Sequence, residues 1–136
     1  MKSLSKPASA VMDQLTHGLR LGDHTKIDNT GGTFMAVSVE NIGRTDQGAL
    51  FSVAHYYEQN GDLMRDPEMV FLKRNGKYYP VTFQQDGSLG FYQEAIEIRG
   101  GKVIGYYPPV LQEQVSFAQM WMKNIKEQQG LRLEER

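Results

Sequence analysis

The chain has 136 residues, of which 40% are hydrophobic and 23% are charged, and its formal net charge is −1. This length and composition are typical of one globular domain, and we predict a single domain over residues 1–136. A near-neutral charge gives no overall electrostatic attraction to nucleic acid or to an anionic membrane. The absence of cysteine excludes disulfide frameworks, thiol catalysis and Cys-ligated metal sites.

The sequence also lacks the apolar segments that direct proteins to membranes. No apolar run approaches the ~20 residues that a membrane-spanning helix needs. The first residues, MKSLSKPASAVMDQL, contain no apolar core of the kind found in signal peptides. We therefore expect a cytoplasmic protein that does not associate with membranes.

A helix is predicted near the N-terminus, over residues 7–19. Ser5 can cap it because a hydroxyl can accept a hydrogen bond from a free backbone N–H, and Pro7 suits the first helical turn. Apolar residues recur at helical spacing, which predicts that one side of this helix packs on a core. These residues are Ala8, Val11, Met12, Leu15 and Leu19.

Turn signals in the middle of the chain predict a run of antiparallel strands. An Asn-Gly pair favours a two-residue type I′ hairpin turn, because both positions need positive φ. The signals are Asn60-Gly61, Asn75-Gly76, Asp86-Gly87 and Gly100-Gly101, each between segments rich in Val, Ile, Tyr and Phe. Hairpins joined end to end form a meander. The predicted strands cover residues near 49–59, 63–74, 77–84, 90–98 and 102–107, after an alternating segment that begins at Phe34.

A second helix is predicted after Pro108-Pro109, which ends the run of strands. Its apolar residues fall on one face, and it ends at Gly130, where glycine can adopt the left-handed conformation. The apolar residues are Leu111, Val115, Ala118, Trp121, Met122 and Ile125. We therefore predict an α+β fold: an N-terminal helix, an antiparallel meander of five or six strands and a C-terminal helix, with both helices on one face of the sheet.

The hairpin turns also predict which side chains share a face of the sheet. Counting outward from Asn60-Gly61 places His55 opposite Asp66, and the next turn places Leu72 opposite Tyr79. Pro67 cannot donate to the ladder of hydrogen bonds, so a bulge or an edge position is expected there. The other face is predicted to carry Ser52, Arg65, Lys73, Tyr78 and Thr82. The predicted core face consists of Phe51, Val53, Tyr57, Met64, Val70, Leu72, Tyr79, Val81 and Phe83.

One polar group stands out on that predicted face. His55, Asp66 and Glu68 are expected at its rim, with Asp62 and Glu58 nearby. A histidine beside carboxylates can act as a general base or can bind a divalent metal. The other interpretation is structural, in which a partly buried His55 donates a ring N–H to Asp66 and fixes the hairpin. We favour the structural interpretation because the sequence shows no nucleophile and no phosphate-binding loop to accompany these residues.

The segment from His55 to Leu72, HYYEQNGDLMRDPEMVFL, resembles a family of uncharacterised small bacterial domains. The similarity extends over about residues 10–131, and NGDLMRDPEM is its most specific part. Such domains are typically encoded on plasmids and integrative conjugative elements of gut bacteria. The resemblance implies a small α+β domain and an accessory gene of mobile DNA, and it supplies no catalytic residues.

Two functions from different classes follow from these observations. We favour a non-catalytic interaction module that binds protein, in preference to nucleic acid, through the open face of its sheet or its loops. The alternative is a small metal-dependent or His/carboxylate hydrolase that uses His55, Asp66 and Glu68. We expect no cofactor. The basic hairpin tip Lys73–Lys77 is interpreted as a solvated turn with at most a local phosphate contact.

Overall fold

The computed structural model describes residues 1–133, and its architecture is the predicted α+β fold. Two helices flank an antiparallel sheet of six strands, and a separate two-stranded hairpin follows the sheet. In chain order the elements are α1 (Lys6–Thr16), β1 (His24–Ile27), β2 (Val37–Thr45), β3 (Gly48–Gln59), β4 (Asp62–Arg74), β5 (Lys77–Gln85), β6 (Phe91–Glu94), β7 (Ile96–Arg99), β8 (Lys102–Tyr106) and α2 (Pro108–Gln129). Within the described part of the chain, neither helix has the length and apolar character needed to cross a membrane.

The start of α1 and the end of α2 have the predicted local causes. The Ser5 side chain accepts a hydrogen bond from the backbone N–H of Ala8 and caps α1. Helix α2 ends at Gly130, which has a φ of 63° and lies in the left-handed region. Helix α1 ends earlier than predicted, at Thr16, because His17 already has an extended ψ of 124°. Leu19 therefore follows the helix, although it still packs against the core.

The Asn-Gly turns adopt the backbone conformation that their sequence favours. Asn60 and Asn75 both have a φ of 52°, and the glycines that follow them also have positive φ. Each pair joins two antiparallel strands, as predicted. Asparagine is the only non-glycine residue at positive φ in these two turns, and it tolerates the left-handed region better than most residues. The sheet therefore runs β1-β2-β3-β4-β5-β6 with every neighbour consecutive in the chain.

The prediction of one strand over residues 90–98 is wrong. Ala95 divides it: Phe91–Glu94 pairs with β5 in the main sheet, whereas Ile96–Arg99 pairs with β8 in the second sheet. The backbone N–H of Ala95 still donates to the carbonyl of Val81, and its carbonyl accepts from Tyr107. The chain turns away at this buried alanine, and the β7–β8 hairpin covers part of the face opposite the helices.

Bulges change the predicted register at defined places. Between the pairs Tyr56–Arg65 and Ala54–Glu68, two residues of β4, Asp66 and Pro67, stand opposite one residue of β3. This confirms the expected irregularity at the proline, and the Asp66–Pro67 peptide bond is cis. A further bulge lies in β5, where one extra residue, Val81, separates the partners of two adjacent β4 residues. Because side chains alternate along a strand, each extra residue moves the following side chains to the other face.

The predicted core face is therefore wrong for part of the sheet. Met69, Phe71 and Tyr78 face the helices, and Tyr78 is fully buried there. Val70, Leu72, Tyr79 and Val81 lie on the opposite face, beneath the β7–β8 hairpin. The larger cluster unites α1, α2 and the sheet, which confirms that both helices pack on one face. Its side chains from the sheet include Val37, Val39, Phe51, Val53, Met69, Phe71 and Tyr78.

Trp121 provides a direct test of how α2 packs. Its side chain is 4% exposed, and that of its neighbour Met120 is 52% exposed. We expect Trp121→Ala to lower the free energy of unfolding by about 3–5 kcal/mol, the usual cost of a large-to-small substitution in a core. Met120→Ala, the matched control, should change it by no more than about 0.5 kcal/mol. Chemical denaturation measures both, and equal effects of the two substitutions would contradict this packing.

Candidate functional site

His55 lies on the helix-covered face of the sheet and is 7% exposed. Its Nδ1 atom is 3.0 Å from the carbonyl oxygen of Ala36. Because a carbonyl only accepts, Nδ1 carries the proton and donates it. The ring also meets Trp121 edge-on, with ring centroids 5.4 Å apart. The contacts of His55 are thus with the backbone before β2 and with α2, and they are those of a packed structural residue.

Asp66 does not pair with His55 as the register predicted. It lies in the bulge, and its carboxylate accepts a hydrogen bond from the side-chain amide of Gln85 on β5. The His55 ring bonds to the other side, toward Ala36. The prediction of a hydrogen bond between His55 and Asp66 is therefore wrong, because His55 bonds to Ala36 and Asp66 bonds to Gln85. The physical reason is the extra residue at Pro67, which removes the direct opposition of the two side chains.

Glu68 lies on the face of the sheet that is opposite His55. Its Oε2 atom accepts hydrogen bonds from Ser52 Oγ at 3.2 Å and from Tyr56 Oη at 3.3 Å. The Nε atom of Arg65 lies 4.0 Å from Oε1 of the same carboxylate. Burial, and then the charge of Glu68, raises the pKa of Tyr56, so the phenol keeps its proton and remains the donor.

The three candidate residues therefore do not converge on one site. Asp62 pairs with Gln59 beside the hairpin turn, and both Asp62 and Glu58 are exposed there. In residues 1–133, no three His, Asp or Glu side chains are grouped so that they could hold a metal ion. His55, the candidate base, and Glu68, the carboxylate of the same hypothesis, lie on opposite faces of the sheet.

A polar patch on the face opposite the helices was not recognised from the sequence. We call it the open-face patch and define it by Glu40, Tyr56, Arg65, Glu68, Tyr92 and Glu94. The register places Glu68 and Tyr92 in one row across the sheet, through Gln84, and places Glu40 and Glu94 in the next. The β7–β8 hairpin covers another part of this face. The one sequence signal for this patch is Pro67, because the bulge there directs the Glu68 side chain away from the helices.

A second polar group borders a cleft of about 470 Å³ at the C-terminal end of α1. The buried Tyr78 hydroxyl donates to Asp13 Oδ1 at 2.7 Å and lies 3.1 Å from Thr16 Oγ1. Lys73 lies 3.9 Å from the same Asp13 oxygen. Burial is the main cause that raises the pKa of Tyr78, and Asp13 adds to it, whereas the hydrogen bond with Thr16 acts in the opposite direction. This network fastens α1 to the sheet beside a cleft lined by Lys73, Arg20 and His17.

The contacts of His55 predict independent effects at His55 and Asp66. His55→Ala should lower the free energy of unfolding by about 1–3 kcal/mol, because it leaves a buried carbonyl without its donor. Combined with Asp66→Ala, the losses should add to within about 0.5 kcal/mol, since the two side chains share no partner. A double-mutant cycle in urea measures this. A coupling energy above about 1 kcal/mol would show that the two side chains interact after all.

The buried phenol predicts a dependence of stability on alkaline pH. The folded protein holds Tyr78 neutral, whereas an unfolded tyrosine loses its proton near pH 10. The contribution of Tyr78 to stability is therefore complete below about pH 10 and is lost as the pH rises further. At neutral pH, Tyr78→Phe should cost about 1–3 kcal/mol.

That difference between the wild type and Tyr78→Phe should shrink as the pH is raised from about 9 to about 11. Unfolding free energies measured across this range provide the test. Tyr106→Phe, at an exposed surface position, is the matched control and should change the free energy of unfolding by no more than about 0.5 kcal/mol. A constant difference for Tyr78→Phe would mean that the phenol is not held in its neutral form.

Comparison with known proteins places these features in a family. No curated protein and no solved structure matches the chain. The family described as "Domain of unknown function (DUF6908)" matches residues 7–131, which include all the strands, helix α2 and all of α1 except its first residue. The match therefore includes the bulge and both polar groups. The chain belongs to the DUF6908 family of domains of unknown function.

Proposed function

We propose that this domain is a non-catalytic interaction module that binds a partner protein on its open-face patch. The observation that carries the proposal is the separation of His55 from Glu68 by the sheet. A catalytic site needs groups that converge on one reacting atom. Here each candidate group is used in a contact within the fold, and the surface left uncovered is polar and acidic.

The patch has the composition of a binding surface for a basic protein. Glu40 and Glu94 are exposed, and Glu68 is partly exposed between them. Tyr92 is 56% exposed and its hydroxyl donates to Glu94, while Tyr56 is held by Glu68. Tyrosine is enriched among the residues that contribute most to protein interfaces, because it offers a large, stiff surface with a polar end. We therefore infer a partner that presents Lys or Arg side chains to this face.

The internal hydrogen bonds prepare the patch for binding. Glu68 is oriented by Ser52 and Tyr56 at once, and its charge stands on a strand in the middle of the sheet. Side chains that are already ordered lose less conformational entropy when a partner docks. A standard interface covers about 800 Å² on each partner, and the part of the face beyond the β7–β8 hairpin is the surface we assign to it.

The biological setting that we propose comes from the resemblance carried by residues Asn60–Met69. It implies an accessory gene of plasmids or integrative conjugative elements. We therefore propose that the partner belongs either to the machinery of conjugation or to a host defence system that the element must evade. A small domain without a catalytic site suits such a role, because occupying a partner's surface is enough to block it or to recruit it.

Charge reversal tests the binding surface. Glu40→Lys combined with Glu94→Lys should abolish retention of the partner, or weaken its binding at least about tenfold, because both charges stand at exposed positions of the patch. The matched control is Glu113→Lys with Glu127→Lys, which makes the same charge change on the exposed side of α2. The partner is identified as the protein that crosslinks to a photoreactive residue placed at position 92, and titration with the purified partner measures the affinities.

Three outcomes decide the proposal. Loss of binding in the patch variant with binding retained in the control supports it. Equal losses in both variants would indicate general charge attraction and would overturn it. A reproducible rise in melting temperature with Mn²⁺ or Zn²⁺ that disappears in His55→Ala would favour the alternative, a metal-dependent hydrolase.

A further inference from the structure

Seven of the 15 basic residues lie at one end of the sheet, although the chain as a whole is slightly acidic. The turns β2–β3 and β4–β5 lie at this end because the strands alternate in direction, and the β7–β8 turn lies beside them because it is hydrogen-bonded to the β2–β3 turn. Arg74 pairs with Lys77 at one tip, and Arg99 pairs with Lys102 at another. We call this surface the basic end and define it by Arg20, Arg44, Lys73, Arg74, Lys77, Arg99 and Lys102.

Backbone contacts hold the three tips together. The N–H of Asp46 donates to the carbonyl of Gly101 at 2.8 Å, and the N–H of Val103 donates to the Asp46 carboxylate at 3.0 Å. These bonds fix the β7–β8 tip against the β2–β3 turn. Gly48 lets β3 approach β4 closely, since a Cβ there would lie 1.9 Å from the carbonyl oxygen of Lys73. In the folded structure these contacts hold the cations close together at the strand ends.

Most of these charges are available for a ligand. Among residues 1–133, Arg44, Arg74, Lys77 and Lys102 take part in no salt bridge. The acids nearby are already engaged: Asp13 with Tyr78, Asp46 with a backbone N–H, and Glu97 with Arg99. Lys73 and Arg20 also line the cleft at the end of α1, next to the tips.

Acidic residues occupy the opposite end of the sheet. Strand β3 runs from Gly48 at the basic end to Gln59 at the other, which at ~3.3 Å per residue separates the ends by roughly 35 Å. Arg65 is the cation that the structure places among the acids there, and it contacts Asp86 and Glu68. The acids at this end are Glu58, Asp62, Asp66, Glu68 and Asp86.

We propose that the basic end binds the phosphate backbone of nucleic acid. Interfaces with nucleic acid are more polar and much more positively charged than interfaces between proteins, in which aromatic residues such as tyrosine are enriched. The three tips carry no apolar side chain: they are Asp46-Gln47, Asn75-Gly76 and Gly100-Gly101. Arginine and lysine on short turns match contact with successive phosphates, which fixes position without reading sequence. The acidic end keeps the rest of the domain away from the polyanion.

This inference stands apart from the proposed function, because the basic end and the open-face patch are different surfaces. Failure of one therefore leaves the other untouched, and charge reversal at each end can be measured separately. A domain that holds nucleic acid at one end and a protein on its open face would bring the two together.

Fluorescence anisotropy with labelled DNA tests the proposal. The probes are a single strand and a duplex of about 20 nucleotides per strand and of arbitrary sequence, at salt concentrations from about 50 to about 200 mM. The wild type should bind both probes at low salt. For the duplex, the logarithm of the binding constant should fall with the logarithm of salt with a slope of about −3 to −4, as expected for about four phosphate contacts.

The decisive variant is Arg74→Glu with Lys77→Glu, which should weaken DNA binding at least about tenfold relative to the wild type. The matched control, Lys123→Glu with Lys126→Glu, makes an equal charge change at exposed positions of α2 and should bind within about twofold of the wild type. If the first variant does not fold, as judged by circular dichroism, Arg44→Glu with Lys102→Glu replaces it at the neighbouring tips.

Three results would overturn the proposal. The first is no binding to either probe at the lowest salt. The second is an equal loss of affinity in the control variant, which would mean that overall charge and not the basic end is responsible. The third is tighter binding of a poly-glutamate peptide than of DNA at the same salt, which would assign the surface to an acidic protein segment.

Discussion

Two residues of β4 stand opposite one residue of β3, and the use of both faces of the sheet depends on this pairing. Because side chains alternate, one additional residue exchanges the two faces for the remainder of the strand. On the turn side of the bulge Met64 shares its row with Tyr57, while beyond it Met69 and Phe71 reach the helix-covered core. Glu68 is thereby directed outward, where Ser52 and Tyr56 bind it. An unbulged strand would place this carboxylate beneath the helices without compensation, at a large cost in desolvation.

The segment Asn60–Met69 has several structural roles that depend on this pairing. In Asn60–Met69, the Asn-Gly pair forms the turn through its positive φ values. The backbone N–H of Arg65 donates to Asp86, and its carbonyl accepts from the N–H of the same residue, so that β4 is joined to the loop after β5. Asp66 and Pro67 form the bulge, Glu68 organises the open face, and Met69 fills the core. Consecutive residues of one short segment thus define a turn, a register shift and two faces.

The elements of the fold could be read from the sequence where the information is local. Helix spacing, the Ser5 cap, the Gly130 terminus and the Asn-Gly turns depend on a few neighbouring residues, and the structure confirms them. The faces of β4 and β5 could not be derived in the same way. Pro67 indicates an irregularity in β4, but the number of extra residues there and the bulge in β5 depend on the partner strand and on what covers the sheet, neither of which is contained in a local pattern.

Dependence on non-local contacts also explains why the pairing predicted for the candidate site and the single strand predicted over residues 90–98 are wrong. Counting residue pairs outward from the Asn60-Gly61 turn predicts that His55 and Asp66 are directly opposite each other. The extra residue at Pro67 shifts the register, so the predicted pairing does not form. Phe91–Arg99 reads as one strand because its residues favour extended structure throughout, and only tertiary contacts at Ala95 send its second half to another sheet. Packing of Trp121 and His55 against each other adds a tertiary contact that no spacing rule contains.

The β7–β8 hairpin gives the domain regions of unequal stability. It rests on the sheet through a small apolar cluster of Leu72, Tyr79, Val81 and Ile96, separate from the large core beneath the helices. Units with few buried contacts open at a lower free energy than the molecule as a whole. We therefore expect the hairpin to open locally more readily than β1–β6 and the two helices, and its amide protons to exchange with solvent ahead of those in β3 and β4. The domain would then consist of a stable frame and a less stable cover.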